Sequence, residues 1–263
     1  MTFSIRRTWA VILRHLFNFR HTWDRITDAF YWPAFDLVVW GLTIAALKHQ
    51  GQSDAHVITT ILIAVILWYV LWRGQYEITV NLLEELWSDN LGNIFATPLT
   101  LAEWTTGLLT LGFFKLTLTV TFTSIVAFLL YHVNIFTLGN ALIPLIASLL
   151  VTGWCVGLCV AALFLRYGTK IQTLAWVGGF ILMPFSAAYY PLSSLPLWMQ
   201  KIAQFVPATY VFEGMRVVLA TGRIPWGMIV SSMILNVIFF SLALIFFVRS
   251  FERAKRNGLS HIR

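Results

Sequence analysis

The chain has 263 residues, 59% of them hydrophobic and 11% charged, and a mean hydropathy of +0.77. A soluble domain carries roughly 45–50% apolar and about 25% charged residues. So little charge cannot clothe a soluble body, and it excludes disordered, coiled-coil and nucleic-acid-binding readings of the net +7. An all-α integral membrane protein is expected.

Arg6, Arg7, Arg14 and Arg20 interrupt the first residues and leave no apolar stretch for a secretory leader, so the amino terminus is expected to be retained. Between Phe3 and Phe19, the residues Phe3, Trp9, Ile12, Leu13, Leu16 and Phe19 recur near helical spacing. This predicts an amphipathic helix on the cytoplasmic membrane surface with its basic side toward anionic lipid; a plain basic tail that sets topology is the alternative.

A bilayer core takes about 20 helical residues to cross. Six apolar runs of that order follow: Phe30–Leu47, Val57–Leu71, Trp104–Tyr131, Leu138–Leu165, Ile171–Ala188 and Trp226–Val248. The second is expected to continue through Arg73 and Glu77 into the cytoplasm. Thirteen basic residues flank these runs on one side: Arg6, Arg7, Arg14, Arg20, Arg25, Arg73, Arg166, Lys170, Arg249, Arg253, Lys255, Arg256 and Arg263. Only Lys48, Lys201, Arg216 and Arg223 flank the other, which places both termini in the cytoplasm. Residues 1–29 then form the cytoplasmic amino-terminal part, 30–248 the transmembrane domain and 249–263 a basic cytoplasmic tail. Tyr31, Trp32, Trp72, Trp104, Tyr131 and Trp226 fall near run ends, as interfacial anchors do.

Lys115 lies within the third run, and Asp36 is the nearest carboxylate in depth when positions are counted from the run ends. The two could pair and fix two helices together, or Lys115 could line a pathway with Thr119 and Thr123 one and two turns on. Pairing is preferred because it relieves the desolvation cost directly. In the fourth run Gly153, Gly157 and Ala161 form a small-residue stripe for close helix packing. Cys155 and Cys159, at i, i+4, lack further metal ligands at that depth and read as packing residues.

Asn81–Glu103 is expected in the cytoplasm, yet it carries Glu84, Glu85, Asp89 and Glu103 and no Lys or Arg. Acidic charge where topology favours basic charge suggests a docking surface, with Leu82, Leu83, Leu86 and Trp87 as the stripe of a short helix. Tyr189–Pro225, on the outer side, contains Pro191, Pro196, Pro207 and Pro225 among many apolar residues. It is too apolar for a solvated loop and too broken for a span, so short re-entrant or interfacial helices are expected there. Pro184, preceded by Gly178 and Gly179, should kink or loosen the fifth span, and Glu213 with Arg216 should form a local ion pair.

The phrases NLGNIFATPLTLAEW, between the second and third runs, and MPFSAAYYPLSSLPLWMQKIAQFVPATYVFEGMR, after the fifth, combine with this topology to resemble the permease subunit of an ABC-2 type transporter. The resemblance covers nearly the whole chain. It implies an assembly of two permeases, the second a copy or a paralogue, and two cytoplasmic ATPases, in a bacterial-type plasma (inner) membrane. A coupling helix at about residues 82–95 would contact the ATPase through Glu84, Glu85, Leu86, Trp87, Asp89 and Asn90. It further implies export of an amphipathic, drug-like or lipid-linked cargo, with a glycan as the alternative.

No G-x-x-x-x-G-K-[ST], H-E-x-x-H or G-x-S-x-G motif occurs, so no catalytic, cofactor or metal residue is assigned, and ATP and Mg would be bound by the partner. A polytopic enzyme acting on lipid precursors, the alternative from another class, would gather His and acidic residues at one depth. His15, His21, His49, His56, His132 and His261 are instead scattered over both sides.

Overall fold

The computed structural model describes residues 3–21, 23–49 and 55–259. His261 and Arg263, and the side chains of Phe19, Arg20, His21, Lys48 and His49, lie outside the described residues. The described chain is largely helical and contains no strand. In order, the helices are α1 Ile5–His21, α2 Trp23–His49, α3 Ala55–Trp87, α4 Leu91–Ala96, α5 Leu101–Tyr131, α6 Leu142–Tyr167, α7 Leu174–Val177, α8 Leu197–Ala203, α9 Pro207–Thr221 and α10 Trp226–Asn257.

Helices α2, α3, α5, α6 and α10 supply five segments long and apolar enough to cross a bilayer. Their burial separates them into two kinds. In α3 and α6, 72% of the most apolar stretch is inside the bundle, against 22–28% in α2, α5 and α10. The first two therefore form the axis, and the other three turn residues such as Phe113, Ile125, Val230 and Val237 outward, as helices bathed in hydrocarbon do. The axis is tight because it is built on glycine. A Cβ on Gly153 would lie 2.3 Å from the Leu71 carbonyl oxygen, and one on Gly157 would lie 2.9 Å from Ile78 Cδ1. Ala161 is buried one turn further on.

Helix α5 begins three residues ahead of the expected run. Thr100 and Glu103 form a capping box, with the Glu103 N–H donating to Thr100 Oγ1 at 3.3 Å and the Thr100 N–H donating to Glu103 Oε2 at 2.9 Å.

The expected fifth span, Ile171–Ala188, is not one helix. It is a succession of short turns: 3-10 helix Gly168–Ile171, α7, and 3-10 helix Gly179–Phe185 with Pro184 inside it. Proline removes a backbone donor and paired glycines lower helix propensity, so this stretch cannot hold a continuous ladder alone. Side chains of α3 complete it. Ala175 O accepts from Gln75 Nε2 (2.7 Å) and Thr79 Oγ1 (3.0 Å), Trp176 O accepts from Trp72 Nε1 (3.3 Å), and the Gly179 N–H donates to Gln75 Oε1 (3.2 Å). The partners step back along α3, from Thr79 to Trp68 beside Phe180, so the turns run antiparallel to α3 along its length.

One end of the bundle gathers α1, the end of α3, α4, the start of α5 and the end of α10, where Phe95 meets Phe251 edge-on at 4.6 Å. The outer segment collects at the opposite end, where His56 at the start of α3 lies 3.5 Å from the Leu219 carbonyl of α9.

Candidate functional site

The ionisable residues concentrate at the α1/α4 end, in a layer between α1, α2, α3 and α5. Glu77, on α3, is almost fully enclosed and sits between two cations: Lys115 Nζ of α5 at 2.7 Å and Arg73 Nη1, one turn before it on α3, at 3.4 Å. Arg73 Nη2 donates to the Asp28 carbonyl of α2 (3.0 Å), and the Tyr76 hydroxyl donates to the Asp28 carboxylate. Arg25 at the start of α2 bonds Asn81 Oδ1 (3.0 Å) and pairs with Glu84 through its Nε (2.9 Å). A buried pair of this kind contributes little net stability. Removing one partner still costs about 3–5 kcal/mol, because the other charge is left uncompensated.

This geometry corrects the expected Asp36–Lys115 pair. Asp36 instead accepts from the Tyr69 hydroxyl at 2.5 Å, while Lys115 reaches Glu77. Counting depth from the hydropathy edge at Leu71 put Glu77 in the cytoplasm, whereas α3 continues inside the bundle and buries both Arg73 and Glu77. Thr119 and Thr123 are also buried, the Thr123 hydroxyl donating to the Thr119 carbonyl, and neither lines the apolar clefts that flank α5.

Helix α1 is clasped to the bundle by its arginines. Arg7 holds Glu103 (2.6 Å), which raises the Arg7 pKa, and Arg14 holds Glu85 (2.7 Å). Between them, Val11 and the Thr8 backbone pack on Gly107 of α5, where a Cβ would lie 3.0 Å from Val11 Cγ1. Three of the four carboxylates in the acidic segment, Glu84, Glu85 and Glu103, are therefore neutralised within the chain by Arg25, Arg14 and Arg7, the last two from the basic side expected to face lipid. Their negative charge is not left to attract an external partner. Leu86 is buried as well, and Asn90 Nδ2 is turned onto Glu85 (3.1 Å). What faces outward from the coupling-helix candidate is Trp87, Ser88, Asp89 and Asn93. Trp87 also touches the turn passage, donating to Gln172 Oε1 at 3.0 Å and lying 6.2 Å from the Trp176 ring.

His15 of α1 is enclosed beside this layer with neither ring nitrogen hydrogen-bonded. Burial, reinforced by Arg25, Arg14 and Lys115 and opposed only by Glu77, pushes its imidazole down to about 3.

Comparison of the chain with known protein families gives no match. Comparison with curated proteins gives none either.

At the opposite end, Glu213 and Arg216 pair at 3.0 Å and stitch the outer segment together. Glu213 accepts from the Leu192 N–H (2.7 Å), and Arg216 donates to the carbonyls of Ala187, Ala188 and Tyr190. Pro191 precedes a 3-10 turn, Pro196 caps α8, and Pro207 opens α9 at a position where its missing N–H costs nothing. Between the ends, Ser148 and Thr152 of α6 hydrogen-bond Ser232 and Asn236 of α10 (2.6–2.9 Å), a polar seam that hydropathy could not show. Cys155 is buried beside that seam and Cys159 is exposed, both as free thiols. Among the described residues no group of three His, Cys, Asp or Glu side chains is placed to hold a metal.

Proposed function

We propose that this chain is the permease subunit of an ABC-2 type exporter, driven by a separate cytoplasmic ATPase and working as a dimer. The observation that carries the reading is the construction of the α4 end. A short helix joins α3 to α5, α1 ties the ends of those two helices together through Glu85 and Glu103, and a small rim of Trp87, Asp89 and Asn93 faces outward. Such a device passes a push from a bound partner into the spans. Trp87 adds a second route, because it touches the turn passage directly.

The passage supports the six-crossing version of the topology. The eighteen residues Ile171–Ala188 extend roughly 27–36 Å at helical to 3-10 rises, enough for a bilayer core of about 30 Å. Six crossings return the chain to its starting side, which we assign to the cytoplasm, in a bacterial-type plasma membrane, from the thirteen-to-four basic bias. An amphipathic or lipid-linked cargo fits the largely apolar walls of the chain.

Co-purification with the cell's ATPase subunits, followed by cargo-stimulated ATP hydrolysis in the reconstituted complex, tests this. Trp87→Ala and Asp89→Lys should weaken ATPase association, the tryptophan change by about thirty-fold if it is an interface anchor. Glu85→Gln acts on the α1 clasp and should affect thermal stability first. Recovery of no ATPase with the wild-type chain, or undiminished association of Trp87→Ala and Asp89→Lys, would sink the proposal.

A further inference from the structure

The α1/α4 end carries a second feature that the transport reading leaves unused. A cleft of about 260 Å³ opens where α6 ends beside α10, and its polar lining is Arg166, Tyr167, Ser250, Arg253 and Asn257. No carboxylate lines it, and neither Arg166 nor Arg253 enters any ion pair among the described residues. Arg7, Arg14, Arg25, Arg73 and Arg216, by contrast, each hold a carboxylate.

Arg166 is fixed in place nonetheless. Its Nε donates to Ser250 Oγ at 3.0 Å, and its guanidinium carbon stands 4.6 Å from the centroid of the Phe246 ring. Among the described residues neither Nη group has an acceptor, which leaves the forked donor pattern that matches phosphate oxygens. The cleft lies at the level where the apolar stretches of α6 and α10 give way to basic residues, and the exposed Tyr167 ring marks an interface position.

We propose that this cleft binds the phosphate of an anionic phospholipid headgroup in the leaflet at this end. Two uncompensated arginines with no carboxylate to receive a quaternary ammonium favour a net anionic headgroup over a choline one. The inference needs only that α6 and α10 cross a bilayer and is independent of the transport reading.

The test is native mass spectrometry of the purified full chain, released from micelles holding equal amounts of phosphatidylglycerol and phosphatidylcholine. The wild-type chain should retain phosphatidylglycerol preferentially, and Arg166→Gln and Arg253→Gln should each cut that preference about five-fold. Arg256→Gln, on the same helix outside the cleft, should leave it unchanged. The Arg253 side chain makes no hydrogen bond to the described residues, so its variant should keep the fold and decides the matter even if Arg166→Gln is unstable. Equal retention of the two lipids, an Arg256→Gln loss as large as the others, or displacement of phosphatidylglycerol by added inorganic phosphate would overturn the lipid assignment.

Discussion

At the scale of single residues, His15 couples the seating of α1 to pH. Enclosed, its imidazole titrates at about 3; with α1 released it returns to about 6.5. A lowered value in the seated state means that seating is fully stabilised above pH 6.5 and is weakened as pH falls from there toward 3, by about 1.4 kcal/mol per pH unit. Hydrogen exchange of the α1 amides, corrected for intrinsic rate, should quicken between pH 7 and pH 5, well above the range in which Glu103, held low by Arg7, would protonate. His15→Leu, which keeps an enclosed side chain of similar size but removes the titrating group, should flatten that dependence; an unchanged profile would mean that His15 does not govern seating. Most of the residues in this layer were legible as charges but not as partners. Lys115 demanded a carboxylate, and Arg73 with Glu77, at i, i+4, were there to be read as a helical pair. What hid them was the assumption that a helix leaves the membrane where its hydropathy falls.

At the scale of elements, the α3–α6 contact sets the tolerance of the core. A methyl on Gly153 would meet the Leu71 carbonyl oxygen, a backbone atom that cannot rotate away, so the two axial helices must separate. Gly153→Ala should lower stability by roughly 1–3 kcal/mol, read as a lower thermal midpoint in detergent. Gly227→Ala, where a Cβ meets nothing within 4 Å, is the matched control and should not lower it. The long helices were legible because about 20 apolar residues in a row leave few alternatives. The clasp of α1 was not. Amphipathic spacing shows that a helix has two faces but not which face meets lipid, and Val11, Ile12 and His15 turned inward while Trp9, Leu16 and Phe17 stayed out.

At the scale of the molecule, the α1 end and the α10 end lie together, and the six crossings proposed above would return the chain to one side. Membrane-impermeant labelling of single cysteines at Ser4 and at Arg256, on a background with Cys155 and Cys159 replaced, should mark both from the same side. Labelling from opposite sides would mean that Ile171–Ala188 turns back instead of crossing. The character of the passage was not legible in the sequence, because hydropathy registers apolar content and is blind to who supplies the hydrogen bonds. Gln75 supplies two of them and Thr79 a third, both polar residues buried in the axis. This has a bearing on how the chain is made. Ala175, Trp176 and Gly179 would face hydrocarbon with unmet backbone groups if their segment entered the bilayer alone. The passage is synthesised about a hundred residues after α3, so it must find α3 already standing, with Gln75 still uncommitted, before it can leave the insertion machinery. Its biogenesis is that of a part fitted to a finished socket, and damage to Gln75 would surface as a failure of assembly before any failure of transport.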